Sequence, residues 1–321
     1  MDTAAMYSGL NAFRTVALAV ALYLNAPAAF SLSTDDNKAG APSDTSGVGT
    51  ITVEGKRDRA TVEKQTDTFV SRVIVHPFDE SLARWRTPVC PLVFGVSRDN
   101  GEYLLEKLSQ IARTVGVPLA GEKCRANFYI VMTPEPDALL KAWSKRDVNM
   151  FGDAGGHQTS KFKQDTAPIR VWYNVSLDNA DGSSLTTASP GLALSAGSAD
   201  GGGAFNGIPN NNHAIATRLA WNEVRALASA IVLIDTRKAV GIKYNQLTAY
   251  IAMAGFAEVR LGEDVGAVPT VLNLFRTDAK ALPPGLSEWD EALLKALYGT
   301  EQSDKRQLSD VRLAVARSIM H

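Results

Sequence analysis

Residues 228–259, "ASAIVLIDTRKAVGIKYNQLTAYIAMAGFAEV", place an apolar strand directly before an amphipathic helix. The run 230–235 is short, rich in β-branched residues and followed by polar ones, which predicts a buried strand. After it, Leu247, Tyr250, Ile251 and Ala254 recur at i, i+3, i+4 and i+7, the spacing of one helix face. We therefore expect a core strand followed by a helix whose apolar face packs on the core.

A strand followed by a helix is also the context in which a zinc peptidase carries its H-E-x-x-H helix. In that motif, two histidines at i and i+4 bind the metal and a glutamate lies beside the bound water. The corresponding residues in this chain are Asn245, Gln246 and Ala249, and residues 238–257 contain no His, Asp, Glu or Cys in any register. The helix is therefore predicted not to bind zinc, and we expect no metal or other cofactor.

Further segments predict helices and strands around this pair. Apolar residues recur with helical spacing from Leu104 to Val115, and Gly116 and Pro118 end that pattern. Ser287, with an acidic residue three positions later, is typical of the N-terminus of a helix. The other predicted elements are strands at 50–57, 126–133 and 169–177, helices at 61–75, 136–146, 287–299 and 309–320, and a short helical piece just before residue 230.

The composition changes abruptly in the segment 181–212, where eighteen of the 32 residues are Gly, Ser, Asn or Pro. Loops of this length are rare inside compact domains, and this one is predicted to be a flexible insertion. We predict an α+β (mixed α/β) fold, with a small sheet packed by helices. One domain, 51–321, is interrupted by this long Gly-rich loop.

The N-terminus has the features of a secretory signal peptide. Arg14 is followed by the apolar-biased segment 15–24 and then by Ala26-Pro27-Ala28, a small-x-small cleavage site. The apolar segment is about half the ~20 residues that a membrane-spanning helix needs. We therefore predict a signal peptide at 1–28, a disordered polar leader at 29–50, export to the periplasm or the medium, and no integral membrane span after cleavage.

Export affects how the two cysteines, Cys90 and Cys124, are interpreted. In an oxidising compartment, a lone pair of cysteines favours a disulfide over two free thiols. The bond would close a loop of about 35 residues and would stabilise the fold by roughly 3–4 kcal/mol. Nothing near either cysteine suggests a catalytic thiol–histidine pair.

Charge and motif content argue against several functions. The net charge is −1, from 33 basic and 34 acidic residues, which does not suit a general nucleic-acid-binding protein. No phosphate-binding glycine motif is present. "ALSAG" at 193–197 resembles a nucleophile motif but lies within the Gly/Ser segment, and His157 and His213 are predicted to be solvated loop histidines.

Two pairs of residues are candidates for ligand binding. Asp235 and Arg237 follow the C-terminal end of a predicted strand, which is where α/β sheets bind ligands. The alternative for this pair is a local ion pair in the turn before the next helix. Trp172 and Tyr173, in "VWYN", could stack on carbohydrate or peptide, although strand alternation places at least one of them in the core.

Several blocks of the sequence resemble a group of uncharacterised exported bacterial proteins. The matching blocks are "CPLVFG", "GEYLLEKLSQIARTVGVPL", "CRANFYIVMTPEPDALLKAW", "IRVWYNVS", "QLTAYIAMAGFAEV", "TVLNLF" and "LSEWDEALLKALY". They cover most of residues 51–301, and no established activity comes with the resemblance.

The order from the strand at 230–235 through "LSEWDEALLKALY" is more loosely similar to zincin-like putative lipoproteins. In those proteins, a His/Glu-bearing helix occupies the place of residues 241–259. This chain lacks the metal-binding residues. The resemblance therefore implies a degenerate zincin-like scaffold without peptidase chemistry, which is a pseudoenzyme.

These observations favour an exported, non-catalytic protein that binds an envelope protein, a peptide or another envelope component. One alternative is a metal-independent hydrolase using carboxylates after the helix, at Glu258, Glu263 or Asp264, because burial can tune carboxylates for acid–base work. A second alternative is a purely structural envelope protein in which 181–212 serves as a tether.

Overall fold

A computed structural model describes residues 58–146, 151, 156–181, 186–187, 209–210, 218–276 and 282–321. The predicted signal peptide, the leader, the strand at 50–57 and most of the insertion 181–212 lie outside these residues. The helices are α1 (Arg59–Val73), α2 (Arg98–Val115), α3 (Pro136–Arg146), α4 (Gly156–Gln164), α5 (Tyr244–Phe256), α6 (Glu288–Gly299) and α7 (Gln307–Met320), with a 3-10 turn at Val271–Asn273. The strands are β1 (Pro91–Phe94), β2 (Phe128–Thr133), β3 (Ile169–Asn179), β4 (Thr186–Thr187), β5 (Pro209–Asn210) and β6 (Glu223–Asp235).

The main sheet has four strands in the order β1-β2-β6-β3. β1, β2 and β6 are parallel, with Phe128 opposite Ala230 and Thr133 opposite Asp235. β3 runs antiparallel to β6 along one edge. β4 and β5 form a separate two-stranded pair. The predicted α+β fold, a small sheet packed by helices, is confirmed.

The side chains of the central strands β2 and β6 alternate between two cores, one on each face of the sheet. The larger core takes Phe128, Ile130 and Met132 from β2, together with Ala230, Val232 and Ile234 from β6. On that face α2, α5 and α6 pack against one another and against the sheet. Because strand side chains alternate with a period of two, the residues between these face the opposite side.

The opposite face of the sheet holds a smaller, aromatic core. Val131, Ile231 and Leu233 pack there with Leu140 and Trp143 of α3, as well as with Phe151, Phe162 and Trp172. The rings of Phe151, Phe162 and Trp172 meet edge to face, with centroids 5.0–5.8 Å apart. The sheet is therefore covered by helices on both faces.

Helix α5 is the most buried helix in the described part of the chain, since every residue from Leu247 to Phe256 is buried. Its sequence predicted a single core face. The other face is also covered, because α2 and the 3-10 turn pack around it. Gly255 lets the helix approach the sheet, since a Cβ at this position would come within 2.0 Å of the Phe128 ring.

Two local predictions are confirmed. The side chain of Ser287 caps α6 and forms a capping box with Asp290. Cys90 and Cys124 form a disulfide, with their Cα atoms 6.0 Å apart. None of the helices within the described ranges is long and apolar enough to cross a membrane.

The predicted helical piece before residue 230 is wrong. Residues Glu223–Asp235 form one strand that pairs with β3 from Glu223 to Ile234, with a register shift at Ala228, and with β2 over its second half. Val224, Arg225, Ala226 and Leu227 suit a helix about as well as a strand, so cross-strand pairing decides the outcome. Helix α4 was not predicted at all.

Candidate functional site

The three parallel strands end at a common edge of the sheet. The segments that follow them lead to opposite faces of the sheet. The connections after β1 and β6 lead to α2 and α5 on the face of the larger core, whereas the connection after β2 leads to α3 on the aromatic face. Neighbouring strands whose connections diverge in this way create a crevice in which α/β proteins bind ligands. We call this region, formed by residues 95–98, 134–137 and 235–238, the carboxyl edge.

Asp235 lies at the carboxyl edge, where it is 3% exposed. Its Oδ1 accepts hydrogen bonds from the backbone N and the Nε of Arg237 at 3.1 and 3.2 Å, and its Oδ2 accepts one from Nη2 at 3.2 Å. Burial alone would raise the pKa of this carboxyl, but the bonds from Arg237 outweigh burial and lower it. The backbone N–H groups of Lys238 and Ala239 also bond to the Asp235 carbonyl and form a turn. The pair is thus a local ion pair, as the structural alternative predicted. Its role in binding stays a prediction.

A second ion pair, Arg170–Asp137, lies on the same face of the sheet as Asp235. The Arg170 side chain is 3% exposed, and its Nη2 donates to Asp137 Oδ1 at 2.7 Å, while the Asp137 side chain is 74% exposed. Arg170 stands opposite Leu233 in the β3–β6 register, two residues before Asp235. The sequence did not indicate this pair, because its members are 33 residues apart and each is unremarkable locally.

The two pairs are electrostatically linked. The pKa of Arg237 is raised mainly by its hydrogen bond to Asp235, and the negative charges of Glu135 and Asp137 add to that effect. Asp137 is in the first turn of α3 and Glu135 lies just before that helix, so the end of β6 and the start of α3 bring opposite charges together. A charged ligand could form an ion pair with the exposed member of either pair.

An open groove of about 380 Å³ continues from this edge along α3 and α4. It is lined by Asp137, Leu140, Lys141, Ser144, Lys145 and Lys163. We call this surface the lysine groove. Its floor is the buried Leu140, and the Ser144 hydroxyl donates to the Leu140 carbonyl at 2.8 Å.

Trp172 and Tyr173 were candidates for stacking on a ligand, with at least one of them expected in the core, and the candidate role needs correction because neither side chain is exposed. Trp172 is 7% exposed and belongs to the aromatic core, because its side chain points towards Phe151 and Phe162. Tyr173 points the other way, and its hydroxyl donates to the Ala254 carbonyl at 2.7 Å. Burial raises the pKa of that hydroxyl strongly. Both residues connect the sheet to its covering layers.

The three carboxylates of the hydrolase alternative pair with three different arginines. Glu258 accepts two hydrogen bonds from Arg225, at 2.6 and 3.1 Å. Glu263 lies 3.8 Å from Arg72, and Asp264 lies 3.6 Å from Arg276. Each carboxylate thus has its own cationic partner.

Glu80 is the carboxylate that the structure does bring near Glu258. It lies 3.0 Å from Nε of Arg225, so one guanidinium connects both acids. Burial raises the pKa of Glu258, and the bonds from Arg225 oppose this shift. The sequence did not suggest Glu80, because nothing local relates it to a residue 178 positions later.

Helix α5 presents structural groups where a zincin would present metal ligands. Ala249 is buried, Gln246 donates to the Pro283 carbonyl at 2.8 Å, and Asn245 accepts from the Tyr103 hydroxyl at 2.7 Å. Across the described ranges, no group of three His, Cys, Asp or Glu side chains is arranged to hold a metal ion. "ALSAG" at 193–197 and His213 lie outside the described residues, as does the side chain of His157.

Comparisons with protein-family models, with curated proteins and with solved structures returned no match.

Proposed function

We propose that this is an exported, non-catalytic protein that binds an envelope protein or peptide at the carboxyl edge of its sheet. The proposal rests on two ion pairs, Asp235–Arg237 and Asp137–Arg170, that lie at the end of an open groove. Exposed members of such pairs can bond to a partner while their buried members remain fixed by the fold.

The exposure of the side chains in these two ion pairs supports a role in binding. Arg237 and Asp137 have side chains that are 63% and 74% exposed, whereas Asp235 and Arg170 are almost fully buried. Each pair therefore offers one accessible charge held in place by a buried counter-charge. Fixed, partly desolvated charges give specificity and faster association more than raw affinity. One accessible charge is positive and the other negative, which suits a partner carrying both signs.

The carboxylates after α5 give little support to a hydrolase. Acid–base catalysis needs carboxyls that converge on one substrate. Glu258 is 12% exposed and accepts two hydrogen bonds from Arg225, whereas Glu263 and Asp264 are 37% and 68% exposed and lie beside two other arginines. These contacts suit a structural role and favour binding as the function.

Two features support export. The N-terminal 28 residues have the order of charge, apolar segment and small-x-small site that signal peptides share. Cys90 and Cys124 form a disulfide, a bond that persists mainly in oxidising compartments. The similarity to zincin-like lipoproteins belongs to the same proposal, with α5 as a buried scaffold helix that lacks metal ligands.

The experiment is an affinity purification of the native-level protein from the cell envelope, comparing wild type with Arg237→Ala. Arg59→Ala is the matched control, since Arg59 also forms an exposed local ion pair, with Glu63 at 2.8 Å on α1. We expect one reproducible partner with wild type and the control, and its loss with Arg237→Ala although circular dichroism shows that this variant remains folded. A partner retained equally by all three proteins would place the binding surface elsewhere, and the absence of any partner would contradict the proposed function.

A further inference from the structure

The lysine groove carries positive charge that the described residues do not neutralise. In the part of the chain that the structure describes, no carboxylate lies within ion-pair distance of Lys141, Lys145 or Lys163. The one acidic residue of the groove, Asp137, is engaged by Arg170. The groove therefore holds three cations beside a neutralised pair, in a chain whose overall net charge is −1.

The arrangement of the lysines is unfavourable for the helix itself. Lys141 and Lys145 are four residues apart on α3, and like charges at that spacing destabilise a helix. Elsewhere the same spacing holds opposite charges, as in Lys295 and Glu291, whose charged atoms are 2.6 Å apart. An anionic ligand would relieve the repulsion on α3.

The spacing of the charges indicates the form of the ligand. Lys141 and Lys145 are separated by about one helical turn, ~6 Å along the axis. Lys163 belongs to another helix, where its Nζ lies 5.2 Å from the centre of the Phe151 ring. The positive groups are thus spread along a surface. In an extended peptide, side chains two residues apart are on the same side and about 6.6 Å from each other.

We propose that the lysine groove binds an acidic peptide segment in extended form, with carboxylates at alternate residues that contact Lys141 and Lys145. This inference rests on the proposed function and specifies its ligand class.

The test is a direct binding measurement with a fluorescein-labelled peptide of ten residues in which Glu and Ser alternate. Wild type is compared with Lys141→Gln/Lys145→Gln. The matched control is Lys64→Gln/Lys107→Gln, which removes the same charge from α1 and α2, where Lys64 is exposed and Lys107 is partly exposed. A second peptide, with Gln in place of Glu, tests whether negative charge is required.

We expect the Glu peptide to bind wild type and the control equally, and to bind the groove variant roughly fivefold or more weakly, since each exposed ion pair contributes up to about 1 kcal/mol. Binding should weaken as salt is raised, because exposed charges are screened. Equal affinity for the groove variant, or for the Gln peptide, would overturn the inference.

The result of the peptide-binding test can be distinguished from the result of the affinity purification. If the Glu peptide does not bind but an envelope partner is still lost with Arg237→Ala, the ligand class is wrong and the binding function stands. If the peptide and the purification both fail, both proposals fail. Phosphatidylglycerol vesicles form a third arm: lysine-dependent binding to them without peptide binding would assign the groove to a lipid surface and overturn the peptide.

Discussion

Arg225 and Glu258 form a nearly buried, two-bond ion pair between β6 and the segment after α5. The Nη1 of Arg225 donates to Glu258 Oε2 at 2.6 Å, and both side chains are 12% exposed. The backbone of Arg225 is held as well, because its N–H bonds to Ser81 and its carbonyl accepts from Gln302. One residue therefore joins the first half of β6 to three other segments.

Arg225→Ala should lower the free energy of unfolding by about 3 kcal/mol, because it leaves the buried Glu258 carboxylate without its partner. Urea denaturation at neutral pH measures this directly. Glu258→Gln should cost less, since Arg225 keeps its contact with Glu80 at 3.0 Å. Arg59→Ala, which breaks an exposed pair, is the control and should change the stability far less. A loss for Arg225→Ala no greater than that for the control would contradict the structural role of the pair.

Gly255→Ala should destabilise the protein by about 1–3 kcal/mol, the usual cost of adding a methyl group to a packed core. The added Cβ would meet the Phe128 ring at 2.0 Å, so either the helix or the ring must shift. Gly299→Ala is the matched control in α6, where an added Cβ meets nothing within 4 Å. Thermal unfolding of both variants checks the prediction, and two equal melting temperatures would mean that α5 does not approach the sheet this closely.

Removing the disulfide should lower stability more than most single substitutions. Cys90→Ser/Cys124→Ser frees a loop of 34 residues in sequence separation, which corresponds to roughly 3–4 kcal/mol and a melting temperature about 10 °C lower. Reduced wild type should melt with the double variant. If the denatured, non-reduced protein reacts with two equivalents of a thiol reagent, the bond is absent.

Local sequence signals predicted most of the helices and the strands β2 and β3 well. The stripe ending at Val115 and the Ser287–Asp290 capping box are each encoded within one element, so they are visible in the sequence. The continuous strand from Glu223 was missed, because its first residues have no clear strand preference and become a strand through pairing with β3.

The candidate site was only partly predicted, because some of its contacts join residues that are far apart in the sequence. Asp235 and Arg237 are two residues apart at a strand end, and a general rule for α/β sheets identifies them. Arg170 and Asp137 are 33 residues apart, and their meeting depends on the antiparallel return of β3 beside β6. The burial of Trp172 also follows from helices α3 and α4, which the strand pattern alone does not specify.

The Asp235–Arg237 pair should give the protein a specific dependence on pH. The pKa of Asp235 in the folded protein lies below its ordinary value of 3.8. The folded state therefore favours the ionised form. This stabilisation is fully present above the ordinary value, and it is lost as the pH falls through the lowered pKa.

Arg237→Ala removes the groups that lower that pKa, so it should lower the free energy of unfolding near neutral pH. The difference from wild type should shrink as the pH falls below about 3.8, since protonated Asp235 no longer attracts Arg237. Urea denaturation of both proteins across this range measures the difference at each pH and cancels the groups they share. If the difference stayed constant at every pH, Arg237 would be acting through packing, and its charge would not be held by Asp235 for use at the carboxyl edge.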